Sequence, residues 1–388
     1  MRRFLSGNRV TLLRSGTEFF PALVAAIEQA EREIHLETYI FADDETGRRV
    51  AAALSRAARR GVAVRVLIDG FGSRKYIGGL GRDMEAAGVQ VLFYRPELGG
   101  IRLKRHRLRR LHRKIALVDS RVAFVGGINI IDDLDTPGQI PPRYDYAVQV
   151  EGPLVVRIGH TLRHVWTLVS WSQLRRHGYA DRQERRRPRR AGNMRARFLI
   201  RDNIRHRRDI EEAYLEAMAG AKEEIVIASA YFLPGIHFRH AMVEAVARGA
   251  RVVLILQGRV EYALLHYASR ALYGQLLDGG VEIYEYHKGF LHAKVAVIDG
   301  HWATVGSSNI DPFSLLLARE ANVVVDDEGF ATELRDSLEN SRLCCCRQVF
   351  PRDWRHQPLY RRFLAWAAYG LARFFMGVAG YSRKYDQT

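Results

Sequence analysis

The apolar positions of the chain fall into short β-branched runs separated by segments of helical period. Ile34 to Phe41 (IHLETYIF) is one such run, and Arg60 to Gly70 (RGVAVRVLIDG) contains another. Runs of this length closed by glycine predict buried strands. The alanine-rich stretch from Val50 to Arg60 between them predicts a helix. The same order returns later: Ile225 to Phe232 (IVIASAYF), an alanine-rich stretch from Ala241 to Arg248, then Arg248 to Gly258 (RGARVVLILQG). Downstream, Gly88-Val89-Gln90-Val91 is matched by Gly280-Val281-Glu282-Ile283. Strands alternating with helices predict an α/β fold. The repetition predicts two similar α/β domains packed about a pseudo-two-fold axis, each a mixed, mostly parallel sheet flanked by helices.

The expected boundaries follow from where the pattern breaks. Residues 1–174 form the first domain and 198–357 the second. Residues 175–197 contain Arg182, Arg185, Arg186, Arg187, Arg189 and Arg190 around Pro188, which predicts an exposed basic linker. Residues 358–388 are a distinct tail. From Phe363 to Gly380 it reads FLAWAAYGLARFFMGVAG, with Arg373 as its one charge. That is short for a span of ~20 apolar residues, and aromatics flanked by arginine suit a helix lying at a lipid interface. Phe363, Trp366, Phe374 and Phe375 are the expected membrane contacts. The first ten residues have basic side chains with no apolar run behind them, so no secretory signal is expected.

The repeat also carries chemistry. Leu111-His112-Arg113-Lys114-Ile115-Ala116-Leu117-Val118-Asp119 leads to Gly126-Gly127-Ile128-Asn129. Leu291-His292-Ala293-Lys294-Val295-Ala296-Val297-Ile298-Asp299 leads to Gly306-Ser307-Ser308-Asn309. Both read H-x-K-x4-D-x6-G-[GS]-x-N, interval for interval. His and Lys at i and i+2 on a strand share a face. Glycines let the backbone approach a ligand, and the Asn129 and Asn309 amides can bind phosphate oxygens. Two facing copies would surround one phosphate with two imidazoles and two ammoniums. One imidazole can attack phosphorus while the other serves as acid and then base. Lys114, Lys294 and the asparagines would stabilise the charged oxygens. Asp119 and Asp299 complete the catalytic motif but lie at the far strand ends, where they read as anchors for turns or for the interface between halves. Asp145 and Glu320, each just before another apolar strand, are candidates to orient the histidines. The spacing leaves open which carboxylate serves which histidine, and which histidine attacks. No carboxylate cage for a metal adjoins either motif, so neither metal nor other cofactor is expected.

Charge adds a partner. The net charge is +17 over 388 residues, which calls for a polyanion. Arg102, Lys104, Arg105, Arg107, Arg109 and Arg110 precede the first motif, interleaved with leucines. That suits a segment holding the active-site mouth on an anionic membrane. No helix-turn-helix, zinc finger or aromatic RNA-binding motif is present, and no nucleic-acid partner is expected. The three cysteines, Cys344, Cys345 and Cys346, are consecutive, which argues against a disulfide framework or a cysteine zinc site.

The paired motifs resemble those of the phospholipase D superfamily. The words from Ala123 to Asn129, Asp145 to Pro153, Tyr231 to Pro234 and Gly306 to Ser314 are similar to its bacterial cardiolipin synthase branch. The resemblance runs from about Asn8 to Arg355. It implies a metal-independent transphosphatidylation, with His112 attacking phosphatidylglycerol and releasing glycerol. His292 would then activate a second phosphatidylglycerol to give cardiolipin. It further implies a peripheral enzyme on the cytoplasmic face of the bacterial inner membrane, of the short type without N-terminal spans. The alternatives are a hydrolase or transferase acting on another phospholipid head group, and a nuclease of the same superfamily.

Overall fold

The structure, a computed structural model, describes residues 3–73, 78–95, 110–136, 140–173, 189–202, 205–311 and 318–378. The first half contributes strands β1 (Leu5–Arg14), β2 (Glu33–Thr38), β3 (Ala63–Asp69), β4 (Gln90–Tyr94), β5 (Arg110–Leu111), β6 (Lys114–Val118), β7 (Val122–Gly126) and β8 (Tyr146–Glu151). The second contributes β9 (Met194–Arg201), β10 (Glu224–Ser229), β11 (Arg251–Gln257), β12 (Glu282–Tyr286), β13 (Lys294–Ile298), β14 (Trp302–Gly306), β15 (Ala318–Asp326) and β16 (Cys346–Val349).

One sheet runs through the molecule in the order β16-β12-β11-β10-β13-β14-β15-β9-β1-β8-β7-β6-β2-β3-β4. Outward from the β9–β1 seam, seven strands of each half follow the same order, with β16 added at the second-half edge, so the sequence repeat is a repeat in space. The seam is antiparallel, with Leu5 opposite Ala196 and Asn8 opposite Met194. Helices cover both faces. In the first half these are α1 (Ser15–Glu28), α2 (Glu45–Arg59), α3 (Leu80–Ala86) and α4 (Pro153–Ser172). In the second they are α5 (Asp209–Gly220), α6 (Ile236–Ala247), α7 (Ala263–Arg270), α8 (Tyr273–Asp278), α9 (Glu328–Cys345), α10 (Pro351–Arg355) and α11 (Leu359–Val378).

The mixed sheet with flanking helices is as expected, but parallel pairing does not dominate it. Parallel pairs join β2, β3 and β4, and likewise β10, β11 and β12. The strands from β6 to β8, and from β13 to β15, pair antiparallel. The cause is connection length. Only three residues separate β6 from β7 and β13 from β14, too few for the crossover a parallel pair needs. Strand β9 also begins at Met194, inside the segment expected to be linker up to residue 197. Its alternating arginines hide a strand whose Ala196 and Phe198 are buried between β1 and β15. Residues 174–188 lie outside the described residues.

Side chains alternate across the sheet. Ile34, Leu36, Ala116 and Val118 face α1 and α2, where they meet Phe20, Leu23 and Leu54. Ile115 and Leu117 face the other way, into a core shared with Val295, Val297, α4 and α9. A core drawn from both halves fixes their relative orientation. At the end of α9, Cys344 and Cys345 form a vicinal disulfide, a pairing that the spacing of the three cysteines did not suggest. Cys346 opens β16 and is a free thiol.

Helix α11 lies against α7. It buries Ala365 and Ala372, with Ala368 and Tyr369 packed on the second-half core. Its other face exposes Phe363, Leu364, Trp366, Leu371 and Phe374. Among the described residues no helix is long and apolar enough to cross a membrane. Of Phe375 only its place in α11 is described, and Arg102, Lys104, Arg105, Arg107 and Arg109 lie outside the described residues.

Candidate active site

Each motif histidine precedes a strand whose first residue is the motif lysine. The chain before each histidine is tied across the two-fold axis. Leu111 pairs with Arg319 of β15, and the His112 amide donates to the Arg319 carbonyl at 3.0 Å. Symmetrically, Leu291 bridges Tyr144, and the His292 amide donates to the Tyr144 carbonyl at 2.8 Å. The residue following each of those carbonyls is a carboxylate.

That juxtaposition answers which carboxylate serves which histidine. The Nδ1 of His112 lies 2.9 Å from Glu320 Oε1, and that of His292 lies 2.6 Å from Asp145 Oδ2. Each imidazole is therefore oriented by the opposite half, leaving Nε2 for chemistry. Both carboxylates are buried. The glycine–serine difference in the motif matches the difference in carboxylate length. A Cβ at Gly127 would sit 2.3 Å from Asp145 Oδ1, so only glycine fits beside the shorter acid. At the equivalent position Ser307 donates its hydroxyl to Glu320 Oε2 at 2.5 Å.

His112, His292, Asn129 and Asn309 line one cavity of about 250 Å³ with Tyr39, Asp133, Arg143, Asp145, Tyr231, Glu261, Phe290 and Asp311 among its walls. Lys114 and Lys294 are buried beneath it. Lys114 Nζ donates to the His112 carbonyl at 2.7 Å, and Lys294 Nζ donates to the His292 carbonyl and lies 3.6 Å from Asp145. The edge of Tyr39 meets the His112 ring at 5.0 Å, while Phe290 stacks on His292 at 5.9 Å. Sequence reasoning did not single out Tyr39, Asp133, Glu261 or Phe290. Their residue types are not repeated at the equivalent positions of the other half, so the repeat gave no signal for them.

Burial dominates the electrostatics. It pushes His292 down to about 3, helped by the charge of Lys294 and opposed by Asp145. His112 is lowered for the same reason, with Glu320 opposing and Lys114 adding to the shift. Both rings are therefore neutral at neutral pH, as a nucleophile and a base must be. Burial also brings Lys114 down to about 7 and lowers Lys294. An arriving phosphodiester would favour both ammoniums. Asp133, desolvated beside the Gly16 amide, is pushed up to about 7.

Asp119 and Asp299 are the motif members the structure does not bring to the cavity. They follow the last residues of β6 and β13, roughly 15 Å along the strand from the lysines. Asp119 accepts the amides of Glu31, Arg32 and Glu33, and Asp299 those of Lys222, Glu223 and Glu224. Each carboxylate ties its strand to the start of the neighbouring one, which makes both anchors rather than catalytic groups. Among the described residues no group of three or more His, Cys, Asp or Glu side chains could hold a metal ion.

Comparison with known proteins agrees with this fold and its division into two similar halves. The family described as "Cardiolipin synthase, PLD-like domain" matches residues 23–133 and 214–342, one segment per half. The chain belongs to that family. Cardiolipin synthase B of Salmonella typhi is 43% identical over 88% of this chain and 82% of its own. The protein of that name from Escherichia coli K12 is 41% identical over the same shares. Among solved structures, phosphatidylserine synthase of Haemophilus influenzae superposes with a TM-score of 0.68 at 13% identity, over 96% of each chain. At that identity the likeness speaks for the fold alone.

Proposed function

We propose that the paired histidines transfer a phosphatidyl group between alcohols through a phosphohistidine. The chain is a phosphatidyltransferase, a cardiolipin synthase, and the reaction conforms to its site. One observation carries the mechanism: two motif histidines from different halves share one cavity, each held at Nδ1 by the other half's carboxylate. Nε2 of His112 attacks the phosphorus of phosphatidylglycerol. The phosphorus–oxygen bond to glycerol breaks as His292, whose protonated form the bound phosphodiester anion favours, gives that oxygen its proton and becomes neutral. Neutral His292 then takes the proton of the second phosphatidylglycerol's hydroxyl. The oxygen attacks phosphorus, the phosphorus–nitrogen bond breaks, and cardiolipin leaves with His112 restored. Lys114, Lys294, Asn129 and Asn309 are suited to hold the non-bridging oxygens, worth about 3–4 kcal/mol for one well-placed donor.

The test is mass spectrometry of lipid products from phosphatidylglycerol vesicles, with and without phosphatidylethanolamine, in EDTA. Cardiolipin with released glycerol supports the reading. Phosphatidic acid alone makes the protein a hydrolase, and no lipid turnover brings the nuclease alternative forward. Turnover that EDTA stops would require a metal.

The same reading places the protein peripherally on an anionic membrane, on the cytoplasmic face of the inner membrane in a bacterial cell. Support comes from the exposed aromatic face of α11 and the basic run ending at Arg110. Each large apolar side chain moved fully into the acyl layer contributes about 1.5–3 kcal/mol, so the face of α11 suffices for attachment. Phe363→Glu with Trp366→Glu should weaken sedimentation with phosphatidylglycerol vesicles at least tenfold. Unchanged sedimentation would refute docking through this helix.

A further inference from the structure

The phosphate cradle is nearly two-fold symmetric, but the cavity is not. On the second-half side Glu261 enters the wall, and the Tyr231 hydroxyl donates to its carboxylate. The charges of Arg143 and Lys294 act on that carboxylate, while burial works against them and raises its pKa. The position equivalent to Glu261 in the first half, counted from Gly70 and Gly258, is Ser73. That serine is buried, donating to the Tyr39 carbonyl at 2.9 Å and accepting the Phe41 amide at 2.9 Å. A smaller cavity adjoins the catalytic one and shares Tyr231, Glu261, Tyr262 and Leu265 with it.

A carboxylate facing a phosphate site opposes the anion and so calls for a ligand group that donates hydrogen bonds. The site's geometry fixes which group that is. With His112 in line behind phosphorus, the leaving and entering alcohol oxygens both lie on the His292 side. That is the side where Glu261 stands within electrostatic reach of Lys294.

We infer that Glu261, oriented by Tyr231, reads the hydroxyls of the glycerol head group that take no part in bond making. It thereby selects a polyol over a simple alcohol or water as the group exchanged at phosphorus. Glu261 is thus a specificity-determining residue. The inference rests on the phosphatidyl-transfer reading above. A site that hydrogen-bonds a substrate hydroxyl discriminates strongly against the analogue that lacks it.

The test is a competition in the full-length protein. Phosphatidylglycerol vesicles supply the phosphatidyl group, with deuterated glycerol and ethanol present together as acceptors. Mass spectrometry gives the ratio of labelled phosphatidylglycerol to phosphatidylethanol. Glu261→Ala should lower that ratio about tenfold or more. Tyr231→Phe, which frees the carboxylate without removing it, should lower it less. A ratio unchanged in Glu261→Ala overturns the inference, whether total turnover stays constant or both products fall together. Should the wild-type protein make neither product nor cardiolipin, the transfer reading itself fails, and the inference with it.

Discussion

Beneath its motif the first half buries a chain of ionisable side chains, whereas the second half buries hydrocarbon at four of the same five positions. Arg113, between His112 and Lys114, points away from the cavity and pairs with Glu37 at 2.6 Å. His35, Arg65 and Asp69 are buried on the same side, and His35 meets the ring of Trp166 at 5.2 Å. The second half has Ala293, Ala228, Val226, Val253 and Gln257 at these places. Ala228 and Val226 there pack with Leu334 and Leu338 of α9. Yet the motif histidine, lysine and asparagine that serve the phosphate are the same in both halves. Chemistry at phosphorus constrains one face of each motif strand, while the other face accepts any filling that supports the backbone. Asp69 illustrates such support: its carboxylate accepts the Leu111 amide at 2.8 Å, one residue before His112.

Several substitutions would break or sharpen that contrast. The largest effect is expected where the halves agree. His112→Ala or His292→Ala should each cut cardiolipin formation by at least ~10⁴-fold, since the two act as a unit. Near-normal product from either variant would end the two-histidine mechanism. Next come the carboxylates that cross the axis. Glu320→Gln and Asp145→Asn should each cost about 10²–10⁴-fold in kcat by releasing the imidazole in the opposite half. Loss in one variant only would mean that the cavity is functionally less symmetric than its geometry.

Where the halves differ, stability should respond instead. Arg113→Met alone leaves Glu37 buried without its partner and should cost about 3–5 kcal/mol in urea unfolding. Adding Glu37→Leu should recover most of that loss, because the second half demonstrates an apolar filling. A double variant as unstable as the single one would make the ion pair a requirement of the first half.

The smallest effect concerns acid. Burial holds His35 well below its ordinary value, with the Arg65 charge adding to the shift. The unfolded chain therefore binds a proton that the folded chain refuses once the pH drops below about 6.5. Stability falls as pH is lowered through this window, by up to about 1.4 kcal/mol per pH unit for one such group. His35→Val, the second half's choice of residue type, should flatten the loss between pH 6.5 and 5. His292 contributes with the same sign and remains in the variant. Parallel stability–pH curves for wild type and His35→Val would show that the ring charges in place.

What could be read from the chain followed its repetition. The strands from Ile34, Ile225, Arg60 and Arg248, the motif pair and the candidacy of Asp145 and Glu320 were visible because residue types recur at constant intervals. The exchange of carboxylates across the axis was not, since intervals along a chain do not specify which copy a side chain meets. The antiparallel share of the sheet was misjudged because the strand–helix pattern fills only the outer strands. Strand β9 was lost among arginines whose alternation with Ala196 and Phe198 resembles a charged linker. Glu261 and Phe290 stand where the first half has Ser73 and Arg110, and a wall residue without a like counterpart carries no mark in sequence.

The crossing of the two histidine–carboxylate pairs has a consequence for how such a chain can drift. A change in β8 that shifts Asp145 is felt at His292, some 147 positions away, and one in β15 that shifts Glu320 is felt at His112. Neither copy of the repeat can be tuned, lost or exchanged without its sibling. The duplicated halves are free to diverge in what they bury and bound together in what they catalyse.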